Sequence, residues 1–217
     1  ERANGMANFM RAVEFIKCRE GRGVFVSYRN DRNEEADIYR GTRLLMHQPY
    51  SARLYPLDGV SFHGKVCYNR KASMDRMERP DGQELRLTED AGNILWIRPC
   101  VGMTYPQAGP QVRAVLHDSY HSGTIAVNAG LEEFAGRMEQ AGIPVYLTGA
   151  SSGEAEYETV RMYEQYGIRV LPKMSLIAAY CKLWLALSND LDVNSIMNTC
   201  IAEDIIQVGN CETLKFL

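Results

Sequence analysis

The feature of this 217-residue sequence that most constrains its fold is the alternation of short β-prone runs with helical patterns after residue 89. The predicted strands are 94–97, 113–116, 145–148 and 168–171, and the predicted helices are 131–140, 156–166, 176–187 and 193–202. Strands that alternate with helices of this length are typical of βαβ units. We therefore predict an α/β fold with a parallel sheet, whose ligand-binding loops follow the strands at 118–124 and 149–154.

The first third of the chain is less regular. A helix is predicted over 6–17 because apolar side chains recur at helical spacing. These side chains are Phe9, Ala12, Val13 and Ile16. A strand is predicted over 24–28 and a weaker extended segment over 38–45. The polar stretch 66–86 contains the turn signal Arg79-Pro80-Asp81-Gly82, and we interpret this stretch as a linker between two domains.

Composition and charge exclude several classes of protein. The net charge is −3 and no basic cluster stands out, so a nucleic-acid partner is not expected. No apolar run reaches the roughly 18 residues of a membrane span. Six scattered cysteines and four histidines lack metal-ligand spacing, which indicates reduced thiols and no metal site. Trp96, Trp184 and the methionines, Met10 among them, are expected in the core.

Seven segments, taken in order, carry a resemblance to a known family. They include NGMANFMRAV at 4–13, RGVFV at 22–26, IYRGTR at 38–43, AVLHDSYHSG at 114–123 and PVYLT at 144–148, and they continue at 152–159 and 166–192. In order and spacing they resemble the bacterial L-asparaginases of the cytoplasmic type. The segment at 38–43 is similar to the family's YRGNR motif, and 119–123 is similar to its SYGxG loop.

This resemblance implies a fold and an activity. Residues 1–78 would be the C-terminal part of a flavodoxin-like N-terminal domain, 79–92 a linker, and 93–217 a complete, Rossmann-like C-terminal domain with a parallel sheet. The implied activity is hydrolysis of a small-molecule amide, L-asparagine, to L-aspartate and ammonia. The resemblance also implies a cytoplasmic homo-oligomer, a dimer or a tetramer, that needs no cofactor.

The residues that carry the family's chemistry have no counterpart in this chain. The family uses a threonine nucleophile in a TGGTIA-type loop and a second threonine in a THGTDT segment. We expect both to precede Glu1, so that the chain contains no catalytic residue and is inactive alone. Ser122-Gly123-Thr124-Ile125-Ala126 looks like the nucleophile loop, but it lies mid-chain in the position of the SYGxGN loop.

That position gives the loop a different expected role. The resemblance implies that Ser122, Gly123 and Thr124 bind substrate at the active site of a neighbouring subunit. An ordinary polar loop is the alternative, because Thr124 replaces the family's asparagine and His121 replaces a glycine. Glu154, Glu156 and Glu158 are expected to lie in a solvated acidic loop.

Two further departures concern regulation and class. Asp118 stands where the family has an arginine that binds allosteric asparagine, and Ala150 stands where it has a cysteine, so no such allosteric site is expected. These departures leave open a non-catalytic α/β oligomerisation or binding module. An asparaginase-like subunit of a tRNA-dependent amidotransferase is a third possibility, which the acidic balance does not favour.

Overall fold

Four strands form the expected parallel sheet in a computed structural model that describes residues 4–19, 23–32, 34–57, 84–89, 93–150 and 158–206. They are β3 (Ile94–Ile97), β4 (Ala114–His117), β5 (Val145–Leu147) and β6 (Ile168–Val170). Their order in the sheet is β3-β4-β5-β6, and every neighbouring pair is parallel. The predicted α/β class and parallel sheet are therefore confirmed.

Helices cover both faces of this sheet. Helices α2 (Ala129–Gln140) and α3 (Glu158–Gln165) lie on one face, and α4 (Leu176–Ser188) lies on the other with α5 (Val193–Asn198) packed beside it. The core under α2 and α3 consists of buried apolar side chains, which are Ile97, Val115, Ile125, Leu131, Phe134, Met138, Val145, Leu147, Ala150, Tyr163 and Ile168. Alternation along each strand sends Val115 and Val145 to this core, while Tyr146 points to the opposite face.

Local sequence sets where these helices begin. Asn128 caps α2 by accepting a hydrogen bond from the backbone N–H of Leu131, and Ser175 caps α4 in the same way from Ala178. Gly142, with φ +67°, follows the C-terminal end of α2. The predicted start of α4 at Leu176 is confirmed, and α2 begins two residues before its prediction.

The second compact unit of the chain is built around a small antiparallel sheet. Helix α1 (Gly5–Cys18) packs on β1 (Phe25–Tyr28) and β2 (Asp37–Arg40), with Phe25 opposite Arg40 in the ladder. A 3-10 helix at Gly41–Arg43 follows β2. The segment Cys200–Asp204 groups with this unit rather than with the parallel sheet.

Hydrogen bonds and one ion pair attach Cys200–Asp204, called the strap below, to the end of β2. Thr42 Oγ1 donates to the carbonyl of Ala202 over 2.8 Å, and Arg43 Nε donates to the carbonyl of Glu203 over 2.8 Å. Arg40 forms a 2.8 Å ion pair with Glu203. Ala202 and Glu203 both have left-handed backbones, with φ of 51° and 60°, so tertiary contacts hold a conformation that these residue types rarely adopt.

Two predictions about secondary structure are wrong in part. The helix expected over 193–202 ends at Asn198, because the strap leaves the helix and Asp204 Oδ1 accepts the backbone N–H of Ile201 over 2.7 Å. The extended segment expected over 38–45 becomes a 3-10 turn after Arg40. Thr42 and Arg43 bond to residues 160 positions away, whereas the bond from Ile201 to Asp204 is local, and hydrophobic periodicity registers neither.

The core position expected for Met10 and Trp96 is wrong, and the apolar stripe of α1 is not its buried face. In α1, Phe9 and Ile16 are exposed and Phe15 is buried instead, with its ring 4.7 Å from that of Phe25. Met10 is also exposed. Trp96 is 37% exposed, because β3 is an edge strand. Its ring lies 5.8 Å from the ring of Tyr180 in α4.

Some sequence predictions lie outside the described residues. Of the predicted linker 79–92, the structure describes 84–89 alone. The thiols of Cys18, Cys100 and Cys181 are free. No helix in the described part of the chain is long and apolar enough to cross a membrane.

Candidate functional site

The candidate site lies at the carboxyl end of the parallel sheet. Residues 118–124 follow β4 and residues 148–150 follow β5, and these strands are neighbours, so the two loops emerge side by side. The backbone N–H of Thr148 donates to the carbonyl of His117 over 2.9 Å. This bond continues the ladder one residue past β5 and fixes the starting point of both loops.

A tight turn presents the predicted residues Ser122, Gly123 and Thr124. The backbone N–H of Tyr120 donates to the carbonyl of Thr124 over 2.7 Å, and Gly123 N–H donates to the carbonyl of Tyr120 over 2.9 Å. Gly123 is buried with φ +75°, a conformation that favours glycine. The turn places the hydroxyls of Ser122 and Thr124 2.8 Å apart, so the structure brings these two predicted side chains together.

Among the described residues, the structure places no base beside these two hydroxyls. A hydroxyl needs an adjacent base to become a nucleophile at neutral pH. Among the described residues, the side chains of Ser122 and Thr124 form a hydrogen bond with each other and with no other group. No group of three or more potential metal ligands occurs in the described part of the chain either.

Asp118 and Ser119 start the loop and meet the neighbouring turn. Asp118 Oδ1 accepts the backbone N–H of Ser119 over 2.9 Å. Burial raises the pKa of the Asp118 carboxyl, and that hydrogen bond together with the charge of Arg98 opposes the rise. Gly149, with φ +77°, packs so closely on Ser119 that a Cβ added there would collide with the Ser119 hydroxyl.

His117 lies beneath the site as a fully buried neutral side chain. Its Nδ1 hydrogen-bonds to the carbonyl of Asp118, and its Nε2 is buried with no hydrogen-bond partner among the described residues. The Tyr105 ring lies 5.8 Å away, and Tyr105 in turn stacks on Phe134 at 5.3 Å. Burial lowers the pKa of His117, because a charged imidazolium here would lose its hydration.

This histidine predicts a pH-dependent stability. The folded-state pKa lies below the ordinary value of 6.5, so the unfolded chain binds the proton first. The free energy of unfolding should therefore fall as the pH drops below about 6.5, by at most about 1.4 kcal/mol per pH unit. Asp118 has the opposite effect on the free energy of unfolding at lower pH. Because its pKa is raised above the ordinary value of 3.8, the folded state binds this proton first as the pH falls.

Urea denaturation between pH 5 and pH 7.5 measures this slope. In the His117→Phe variant the part of the slope below pH 6.5 should disappear. The exposed His47 provides the matched control, and His47→Gln should keep the slope. An unchanged slope in the His117→Phe variant would contradict the assignment.

Sequence reasoning missed the residues that support the loop from below. Tyr105 Oη donates to the carbonyl of Ala126 over 2.7 Å, and the buried Tyr163 hydroxyl accepts the backbone N–H of Ile125 over 3.0 Å. Both tyrosines are remote from the loop in sequence, so no local pattern marks them. Of the acidic loop expected after Gly149, Glu154 and Glu156 lie outside the described residues.

Comparison with known proteins gives a fold and no sequence family. No protein-family model matches the sequence, and no curated protein sequence matches it. Solved structures do match, and they are L-asparaginases. The chain therefore has an L-asparaginase-like α/β fold, at an identity that shows the fold alone.

Two of these structures define the extent of the likeness. The thermostable L-asparaginase from Thermococcus kodakarensis superposes with a TM-score of 0.63 at 20% identity, over 96% of this chain and 64% of its own. L-asparaginase I from Vibrio cholerae superposes with a TM-score of 0.64 at 20% identity, over 95% of this chain and 63% of its own. This chain thus spans less than two thirds of the length of either.

Proposed function

We propose that this chain is part of an amidohydrolase of the L-asparaginase type, which converts L-asparagine and water to L-aspartate and ammonia in the cytoplasm. In this proposal the chain supplies residues of a C-terminal domain (93–217) and part of an N-terminal domain (1–78). It acts as a homo-oligomer, in which the turn at Ser122–Gly123–Thr124 helps to bind the small amide substrate of a neighbouring subunit.

One observation carries the proposal. The segments that resemble L-asparaginases in sequence occur in the same order along a chain whose structure superposes on L-asparaginases over about 95% of its length. The order of the segments and the tertiary fold point to the same relationship. Their agreement favours common chemistry, although a fold by itself does not define a function.

The geometry of the turn supports a binding role for it. The Ser122 and Thr124 hydroxyls lie 2.8 Å apart and can donate to or accept from the polar end of an amino acid. Neither hydroxyl is hydrogen-bonded to a base in the described chain, which supports a binding role, and in this proposal the nucleophile belongs to a TGGTIA-type loop elsewhere in the enzyme.

Ammonia release tests the proposed reaction. The protein expressed from the complete reading frame that contains these 217 residues should release ammonia from L-asparagine, and L-glutamine provides the comparison substrate. Mass spectrometry should identify L-aspartate as the second product. A pure, folded protein that releases ammonia from neither amide would exclude the hydrolase and leave the alternative, a non-catalytic α/β oligomerisation or binding module.

The departures at Asp118, Ala150 and Thr124 favour that alternative to a limited extent. Each replaces a side chain that the resemblance associates with asparagine. The reading frame itself discriminates between the two proposals: nucleophile and THGTDT-type segments upstream of Glu1 support the hydrolase, and their absence supports the module.

Thr124 provides a finer test in the active protein. If its hydroxyl binds substrate and does not attack it, Thr124→Ala should raise KM about 3- to 10-fold, which corresponds to one lost hydrogen bond, and should change kcat by less than a factor of about three. Steady-state kinetics with L-asparagine measure both constants. Ser195→Ala removes an exposed hydroxyl on α5 and should change neither. A fall in kcat of a thousandfold or more would instead make Thr124 the nucleophile.

A further inference from the structure

A cavity of about 520 Å³ lies at the opposite end of the parallel sheet from the candidate site. It opens at the amino ends of β5 and β6, beside the C-terminal end of α2 and the start of α5. Its apolar lining consists of Ala135, Met138, Ile143, Pro144, Val145 and Val193. This volume lies within the range of small-molecule sites, which combine an apolar wall with a few polar groups.

Arg169 is the positive group of this cavity. It faces Tyr146 across adjacent strands, and its Nη1 donates to the Tyr146 hydroxyl over 3.2 Å and to Asn194 Oδ1 over 3.4 Å. The guanidinium also lies 5.7 Å from the centre of the Tyr146 ring. All of these partners are neutral, and Arg169 forms no ion pair with any described residue. A guanidinium of this kind retains the capacity to bind a carboxylate with two parallel hydrogen bonds.

Two carboxylates line the same cavity. Asp192 caps α5, where its Oδ1 accepts the backbone N–H of Ser195 over 2.7 Å. Burial is the main cause of the raised pKa of Tyr146, and the charge of Asp192 also contributes to it. This carboxylate therefore acts on the same part of the cavity as Arg169. Glu139 lies at the C-terminal end of α2.

These charges select among possible ligands. A simple anion would be attracted to Arg169 but repelled by the two carboxylates. A simple amine would be attracted to the carboxylates but repelled by Arg169. A zwitterion pairs each of its ends with an opposite charge, and an apolar side chain would fill the space beside Met138, Ile143 and Val145.

We propose that this cavity binds a free α-amino acid with an apolar side chain, with its carboxylate on Arg169, its ammonium on Asp192 and its side chain against Met138 and Ile143. The site is separate from the loops after β4 and β5. It does not depend on the proposed hydrolysis, so either proposal can fail while the other stands.

Isothermal titration of the 217-residue chain with L-phenylalanine tests the site directly. 3-Phenylpropanoate lacks the ammonium group and phenethylamine lacks the carboxylate, so each should bind about tenfold more weakly or worse. Arg169→Gln should weaken L-phenylalanine binding about tenfold or more. Arg137→Gln, on α2 and outside the cavity, should leave it unchanged.

Asp192→Asn is the second variant, because asparagine keeps the capping oxygen of α5 while it removes the charge. It should weaken L-phenylalanine binding and should not weaken 3-phenylpropanoate binding. Circular dichroism confirms that each variant is folded. The proposal is overturned if neither L-phenylalanine nor L-leucine binds saturably up to about 10 mM. Binding that is equal in the wild type and in both variants overturns it as well.

Discussion

Replacing Arg40 by methionine should make local unfolding of the strap and β2 easier, lowering its free energy by about 3 kcal/mol. Arg40 is 6% exposed, pairs with Glu203 over 2.8 Å and lies 4.3 Å from the centre of the Phe25 ring. Methionine keeps much of the side-chain volume but removes the charge. The Glu203 carboxylate, which is 22% exposed, would then be left in the interior without its counter-ion.

Hydrogen exchange measured by mass spectrometry detects this opening. Amides in 37–43 should exchange about a hundredfold faster in the Arg40→Met variant, since 1.4 kcal/mol corresponds to a factor of ten. Arg11 provides the matched control, because it forms an exposed 3.3 Å pair with Glu14 in the same unit. Arg11→Met should change exchange by less than a factor of about five. Equal effects of the two variants would show that the strap does not stabilise β2.

Replacing Gly149 by alanine should destabilise the parallel-sheet unit by about 2 kcal/mol. Alanine is strained at φ +77°, and its Cβ would collide with the Ser119 hydroxyl, which must then move. Urea denaturation followed by tryptophan fluorescence reports on this unit, because Trp96 and Trp184 both belong to it.

Two further variants separate the collision from the strain. In the Ser119→Ala background the hydroxyl is absent, so Gly149→Ala should cost only about 1 kcal/mol. Gly136→Ala, inside α2 where a Cβ would meet nothing within 4 Å, should instead stabilise the unit by about 0.5 kcal/mol or more. If the cost of Gly149→Ala is unchanged by Ser119→Ala, the close packing of the two loops is not what makes glycine necessary.

The parallel sheet was predictable because its signals are local. Four apolar runs alternate with amphipathic helices, and capping residues such as Asn128 and Ser175 mark where helices begin. The backbone therefore follows rules that a short window of sequence contains.

The features that sequence could not predict depend on distant contacts. The strap departs from a helical pattern because Glu203 meets Arg40, 163 positions away, and no local signal encodes that pair. Trp96 is partly exposed because β3 lies at the edge of the sheet, and strand order is not visible in a single apolar run. Phe9 and Ile16 belong to a helical stripe in the sequence, yet Phe15 is the buried side chain of α1.

The candidate site shows the same division. Gly123 and Gly149 are visible in sequence as the glycines of two loops that follow strands, and both have positive φ. The hydroxyl pair at Ser122 and Thr124 was predicted by resemblance to act in substrate binding, and that role remains a prediction. The cavity around Arg169 had no sequence signal, because Tyr146, Arg169 and Asn194 come together only through strand register and helix packing.

Ammonia release by the purified 217-residue chain, incubated with L-asparagine beside the protein from the complete reading frame, tests the central claim most directly. We expect release by the longer protein and none above the blank by the 217-residue chain, because the proposed role of Ser122 and Thr124 is to bind substrate and not to attack it. Release by the 217-residue chain that Thr124→Ala abolishes would contradict the account, since it would place the nucleophile in the turn after β4.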